Sequence, residues 1–313
     1  THNGSLLWEP WQVKKQDGTH YKVFTPYYRK GCLMVEPPRM PLDAPNQLAT
    51  LVLPKDSLTV DALQLCPQHP WHIDLISSWD ISEQGAHKRL SSFIHEHVEQ
   101  YRQGRDFPSM HATSRLSPYL HHGLLSPNQA WYAARESGDS SSVDLFCSEL
   151  GWREFSYSQL YYNPGLATEN LQNKFDHFPW LEDADALRAW QYGQTGIPMV
   201  DAGMRELYQT GYMHNRVRMI VGSFLVKNCL LHWHHGERWF WDCLFDADYA
   251  SNSAGWQWIA GCGADAAPFF RIFNPVTQGQ KFDPDGVYIK QYCPELTNMP
   301  IKYLHAPWQA KSD

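Results

Sequence analysis

From about Glu83 onward, apolar residues return every three or four positions. Ala86, Leu90, Phe93, Ile94 and Val98 share a stripe, with charges opposite, and that period predicts an amphipathic helix. Further helical periods run over about 143–162, 184–193, 199–210, 213–233 and 236–245. Ser117-Pro118 and Ser126-Pro127 read as helix starts, serine capping and proline in the first turn. Residues 83–275 are thus predicted to be mostly α-helical. Upstream, Glu36-Pro37-Pro38, Met40-Pro41, Ala44-Pro45, Leu53-Pro54 and Cys66-Pro67 predict a linker laid over a surface. The first 31 residues differ again. Gly18 follows Gln16-Asp17 as a turn, and His20 to Thr25 alternates, which predicts a short hairpin or edge strand. Such a pair of strands needs a partner, so residues 6–28 are expected to expose apolar surface that promotes association.

Charge and composition narrow this picture. Lys plus Arg is 26 against 33 Asp plus Glu, a net −7, which argues against blanket nucleic-acid affinity but allows a local basic patch. Seven cysteines without regular spacing suggest reduced thiols and a cytoplasmic setting. The most apolar run, Met219 to Leu231, is interrupted by Lys227 and Asn228, so no membrane span is expected. The outlier is aromatic content, with 14 Trp, 16 Tyr and 14 Phe. These rings fit a large core, an electron path or a base-stacking surface, and composition does not choose among them.

Four stretches carry candidate chemistry. Thr113-Ser114-Arg115-Leu116-Ser117-Pro118 offers hydroxyls, a cation and a helix start to an anion, or is an ordinary capped helix. Glu149 and Trp152 stand three apart on one helical face, as a binding pair or an amphipathic edge. In Met213 to Met219, Asn215, Arg218 and Met219 fall on related faces, and Gly222 would let a flat ring or a helix approach. Phe245 to Trp258 holds Asp246, Asp248, Asn252, Trp256 and Trp258; Asp-x-Asp without further acids is weak evidence for metal. His232-Trp233-His234-His235 points its imidazoles different ways, and Gly261-Cys262-Gly263 reads as a turn, so no metal site is assigned.

Together with Tyr101 and Arg105-Asp106-Phe107-Pro108, these stretches resemble the DNA photolyase and cryptochrome family, most closely a class I cyclobutane pyrimidine dimer photolyase. The resemblance implies a mainly α fold, a helical FAD-binding domain at 83–313. It implies a proline-rich linker at 32–82 and, at 1–31, a short β-rich remnant of a missing α/β antenna domain. Tyr101, Thr113, Ser114, Arg115, Leu116, Ser117, Trp152, Asn215, Arg218, Asp246, Asp248 and Asn252 would then hold FAD, with Arg218 pairing Asp246. Glu149, Asn215, Met219 and Asn252 would act on the reaction, and Trp256, Trp233 and Trp180 would pass electrons. Trp152 and Trp258 would stack on the substrate, a protonated Glu149 would bond its edge, and Arg105, Arg216, Arg271 and Lys281 would meet phosphates.

The implied activity is light-driven repair of cyclobutane pyrimidine dimers in damaged DNA by a monomer, through electron transfer from reduced FAD to a flipped-out dimer. The intact protein would also carry a folate- or deazaflavin-type antenna chromophore, lost from a truncated chain. Two rivals stand beside it: a cryptochrome-like blue-light receptor and repair of (6-4) photoproducts. Asn252, where plant cryptochromes have Asp, speaks for repair. Asn215 and Met219, where (6-4) enzymes have His, speak for the cyclobutane dimer. A silent flavin- or DNA-binding remnant is a third reading.

Overall fold

The computed structural model describes residues 3–47, 49, 54, 57–65, 69, 72–266 and 271–310. Leu53, Cys66 and Pro67 of the proline-rich stretch lie outside them. Helices dominate, and polar side chains set where each begins. α1 (Glu83–Ser92) starts where the Ser82 hydroxyl accepts the Gly85 N–H at 2.9 Å. Its stripe continues through a π turn at Phe93–His97 and a 3-10 turn at Val98–Gln100. α2 (Ser117–His121) is short. α3 (Pro127–Ser137) has the capping box in which Ser126 and Gln129 bond reciprocally. α4 (Ser141–Tyr162) is the long central helix, and α5 (Ala184–Gln191) is capped by Asp183.

Gly211, at φ +64°, ends α6 (Pro198–Thr210). α7 (Asn215–Ser223) is shorter than the segment read over 213–233, and α8 (Trp233–Cys243) begins slightly before the one read over 236–245. A π turn at Phe224–Asn228 and the left-handed Leu230, φ +56°, break the 213–233 segment, and His232 then caps α8 through Nδ1. α9 (Tyr249–Ala260), α10 (Pro275–Phe282) and α11 (Val287–Tyr292) complete the set.

The first 31 residues depart from expectation. Gly18 does turn the chain, with the Lys15 N–H donating to Thr19 O at 2.9 Å. Yet the described residues contain no strand; Phe24–Pro26 is a helical turn and Tyr27–Gly31 a π turn. The reason lies in α4, which satisfies this segment's backbone from its side chains. Glu154 Oε2 accepts the Leu7 and Trp8 N–H groups at 2.9 and 3.1 Å, and Gln159 Nε2 donates to Tyr21 O at 3.0 Å. Leu7, Trp8, Val13, Tyr21, Phe24, Tyr27 and Tyr28 are buried, so most of the apolar surface expected over 6–28 is part of a core, with Trp11 and Val23 left exposed.

The proline-rich stretch is tied to α3 at Pro38 and Arg39, whose carbonyls accept from Tyr132 and Asn128. Two hydrophobic clusters form the interior. One joins the N-terminal segment, α1, α3 and α4; the other joins α6, α7, α8, α9 and α11. Helices α8 and α9 approach closely because residue 236 is glycine; a Cβ there would sit 2.1 Å from the Trp256 ring.

Candidate functional site

Where the two clusters meet, a cavity of about 560 Å³ opens, lined from both. Its inner end is built on one ion pair. Arg218, one turn into α7, places Nη2 at 3.0 and 2.8 Å from the two oxygens of Asp246, in the turn between α8 and α9. Arg218 Nε also donates to Met213 O at 2.8 Å. Ser117 does not cap α2, as its sequence context suggested. Its hydroxyl donates to Asp246 Oδ2 at 2.5 Å, and no side chain caps that helix.

Arg115 holds a left-handed backbone, φ +53°, uncommon outside glycine, and its guanidinium lies 4.8 Å from the Trp79 ring centre and 4.5 Å from that of Tyr212. Its Nε is buried without a protein partner. Thr113, Ser114 and Leu116 line the same wall, and Leu116 belongs to the first core. Tyr101 closes it, edge-on to Phe93 and Phe146, its phenol pushed up by burial.

Asp248 and Asn252 form the next stretch of wall. Asp248 caps α9 through the Ser251 N–H at 2.7 Å and accepts the Tyr157 hydroxyl at 2.5 Å; His121 Nδ1 lies at 3.4 Å. Burial opposes its charge, but these hydrogen bonds, Tyr157 foremost, still hold its carboxyl below the ordinary value. Asn252 Nδ2 donates to Glu237 O at 2.9 Å, which fixes the plane of its amide.

The mouth is polar and aromatic. Asn215, first residue of α7, is exposed to the cavity, with Glu149, Trp152, Met219 and Trp258 around it. Glu149 accepts a short bond from Arg105 through Oε1. Arg216 donates to Asp106 Oδ1 at 2.7 Å, lies 4.4 Å from the Phe282 ring centre and touches Met219 Sδ at 3.9 Å. Arg271 and Lys281 are exposed and stand outside the cavity lining.

One face of Trp152 carries Phe24, stacked at 3.7 Å and 11°, with Tyr28 stacked behind at 5.6 Å. Gly151 makes room, since a Cβ there would meet the Tyr28 ring at 2.4 Å. Neither Phe24 nor Tyr28 was a candidate from sequence; Gly151 beside Trp152 was the available signal. Tyr157, His121 and Glu237 were missed for lack of any local motif.

The three proposed electron carriers fall in different settings. Trp256 lines the cavity and is 2% exposed, packed edge-on to Phe240 at 4.9 Å. Trp233 is fully buried in the same core, its indole N–H donating to Asn170 Oδ1 at 3.0 Å. Trp180 is partly exposed, and the His232 ring lies between, 5.2 Å from Trp180 and 5.7 Å from Trp233. Among the described residues, no group of three or more His, Cys, Asp or Glu is placed to hold a metal ion.

Comparison with known proteins follows the same lines. The family described as FAD binding domain of DNA photolyase matches residues 146–313. Deoxyribodipyrimidine photo-lyase of Agrobacterium fabrum is 46% identical over 318 residues, covering 99% of this chain and 66% of that protein. Among solved structures, a bacterial class III photolyase from Agrobacterium tumefaciens superposes with a TM-score of 0.93 at 46% identity, over 99% of this chain and 65% of that one. A Synechocystis cryptochrome superposes with a TM-score of 0.82 at 31% identity, over 99% and 65%. The chain thus spans slightly less than two thirds of each of these relatives.

Proposed function

The chain belongs to the photolyase and cryptochrome family through its FAD-binding domain, and from that premise we propose that it repairs cyclobutane pyrimidine dimers in DNA under light. One observation carries this reading: a single cavity is lined both by Arg115, Arg218 and Asp246, which suit a large anionic cofactor, and by Trp152, Trp258 and Asn215, which suit a flipped-out dimer.

The lining fits FAD. Arg115 leaves a buried N–H without a protein partner, and Thr113, Ser114 and Ser117 add hydroxyls beside it, a donor set suited to a pyrophosphate. Arg218 and Asp246 would lie against the ring, and Asn252 would present a neutral amide to it. When bound and reduced, FAD supplies the light-excited electron that opens the dimer and receives it back. The protein's share is to bind, orient and exclude water. Trp152, backed by Phe24, and Trp258 offer stacking faces, worth ~1–3 kcal/mol per base on comparable platforms. Asn215 and Glu149 offer hydrogen bonds to the edges of the flipped bases, and Met219 packs against them. Trp256, Trp233 and Trp180 would carry electrons inward from the surface, consistent with Trp180 being the partly exposed one of the three. An antenna chromophore of folate or deazaflavin type, a monomeric state and a cytoplasmic location accompany this proposal.

A cryptochrome-like receptor is the second reading, favoured by the likeness to the Synechocystis protein. The test is the absorption spectrum of the purified chain, illumination with reductant, and blue light on a thymine-dimer oligonucleotide. Flavin bands, photoreduction and loss of the dimer are expected. Flavin and photoreduction without dimer loss would favour the receptor, and absence of flavin would overturn both. Trp233→Phe should keep the flavin and slow its photoreduction.

A further inference from the structure

The cations at the mouth are already occupied. Asp106 Oδ1 stands 2.7 Å from Arg216 Nη2 and 4.0 Å from Arg105 Nε, so one carboxylate oxygen serves two guanidiniums. Arg105 also holds Glu149. Two positive and two negative groups leave this cluster formally neutral. The arginines are the more deeply set, with side chains 17% and 18% exposed, while Asp106 is the outermost at 34%. Phe282 backs the Arg216 guanidinium, and Arg216 Nε is buried without a protein partner. The guanidiniums are therefore fixed in place, and the carboxylate is the member free to swing into water.

An anionic oxygen between two arginines is the position a phosphodiester would take, because both bind planar oxyanions through forked N–H donors. We propose that Asp106 is an internal competitor for DNA phosphate: it occupies the Arg105–Arg216 pair in the free protein and must leave when a backbone phosphate binds there. This inference rests on the DNA-repair reading above and adds a residue that sets affinity. Asp106 restrains binding to any phosphate chain. It yields where the flipped bases gain enough contact inside the cavity to offset its displacement. The overall charge of −7 reinforces this restraint, since a net negative chain is repelled by the phosphate backbone.

Fluorescence anisotropy with the flavin-loaded chain tests it, using one undamaged duplex and one carrying a single thymine dimer, across a salt series. Asp106→Asn is expected to bind the undamaged duplex about tenfold tighter at low salt. Its plot of log affinity against log salt should steepen by about 0.9, the increment for one further neutralised phosphate. Asp106→Glu, which keeps the charge, should behave as wild type. Adding Arg216→Gln to Asp106→Asn should remove the gain. Unchanged or weaker binding by Asp106→Asn, at wild-type flavin content and melting temperature, would overturn the proposal, as would a gain that survives Arg216→Gln. If the wild-type chain bound neither duplex, the repair reading itself would fail, and this inference with it. If it bound the dimer duplex preferentially while Asp106→Asn changed nothing, only the competitor role would be lost.

Discussion

The two ends of the cavity use the same chemistry, arginine against carboxylate, to opposite ends. At the inner end, Arg218 and Asp246 are held further by Ser117 and by Met213 O, and the Asp246 side chain is 4% exposed against 24% for Arg218. At the mouth, the Arg105 and Arg216 side chains are 17% and 18% exposed, while the carboxylates they hold, Glu149 and Asp106, reach 30% and 34%. A carboxylate removed from water cannot exchange partners cheaply, so the inner one fixes geometry. Pairs in contact with water can exchange, so the outer ones suit a ligand that comes and goes.

Breaking the inner end should have the largest effect. Asp246→Ala leaves the partly buried Arg218 guanidinium without its carboxylate, a loss of up to about 3–5 kcal/mol. Urea denaturation and the flavin-to-protein ratio should both fall; an unchanged ratio would mean the pair does not anchor the cofactor. Phe24→Ala attacks the wall of the mouth instead. Removing a buried phenyl costs about 3 kcal/mol, and freeing one face of Trp152 should weaken binding of dimer-containing DNA while the flavin stays bound. Phe24→Tyr, which keeps the stacked ring, should restore that binding.

The contact between the N-terminal segment and α4 should respond to pH. Burial pushes the Glu154 carboxyl up to about 8, against the opposing pull of Arg153 and the Leu7 and Trp8 N–H groups. The folded chain then keeps a proton that the unfolded chain, near 4.5, releases. Its contribution to stability is full below about 4.5 and is lost as pH rises through about 8, with a slope of up to about 1.4 kcal/mol per pH unit. Melting temperatures across that window should decline with pH, and Glu154→Gln should flatten the trend. The smallest effect is expected far from both ends. Asn170→Ala strips the Trp233 indole N–H of its acceptor and should cost about 1 kcal/mol by urea titration.

The inner end was legible in the sequence down to its pairing; at the mouth the residues were legible and their partners were not. Arg218 and Asp246 sit in dense motifs, and their pairing was anticipated residue by residue. Helix positions were also legible where capping is local, as at Ser126. Ser117 was misread because a cap and a tertiary donor are the same serine in one dimension. The break at 224–232 was hidden because a π turn keeps its apolar residues in the core, so hydrophobic spacing runs through it without a gap.

What the sequence determined by itself was the set of elements and the chemistry available: periodicity fixes helices, and caps fix many of their ends. Tertiary structure decided which groups were already taken. His20 to Phe24 alternate as a strand would, yet α4 supplies Glu154 and Gln159 to their neighbours' backbone, and the segment becomes a wall. Phe24 meets Trp152 across 128 positions of chain, and Arg216 meets Asp106 across 110. Long-range partners of this kind leave no local period, because only the packed chain determines which hydrogen bonds and ring faces remain free.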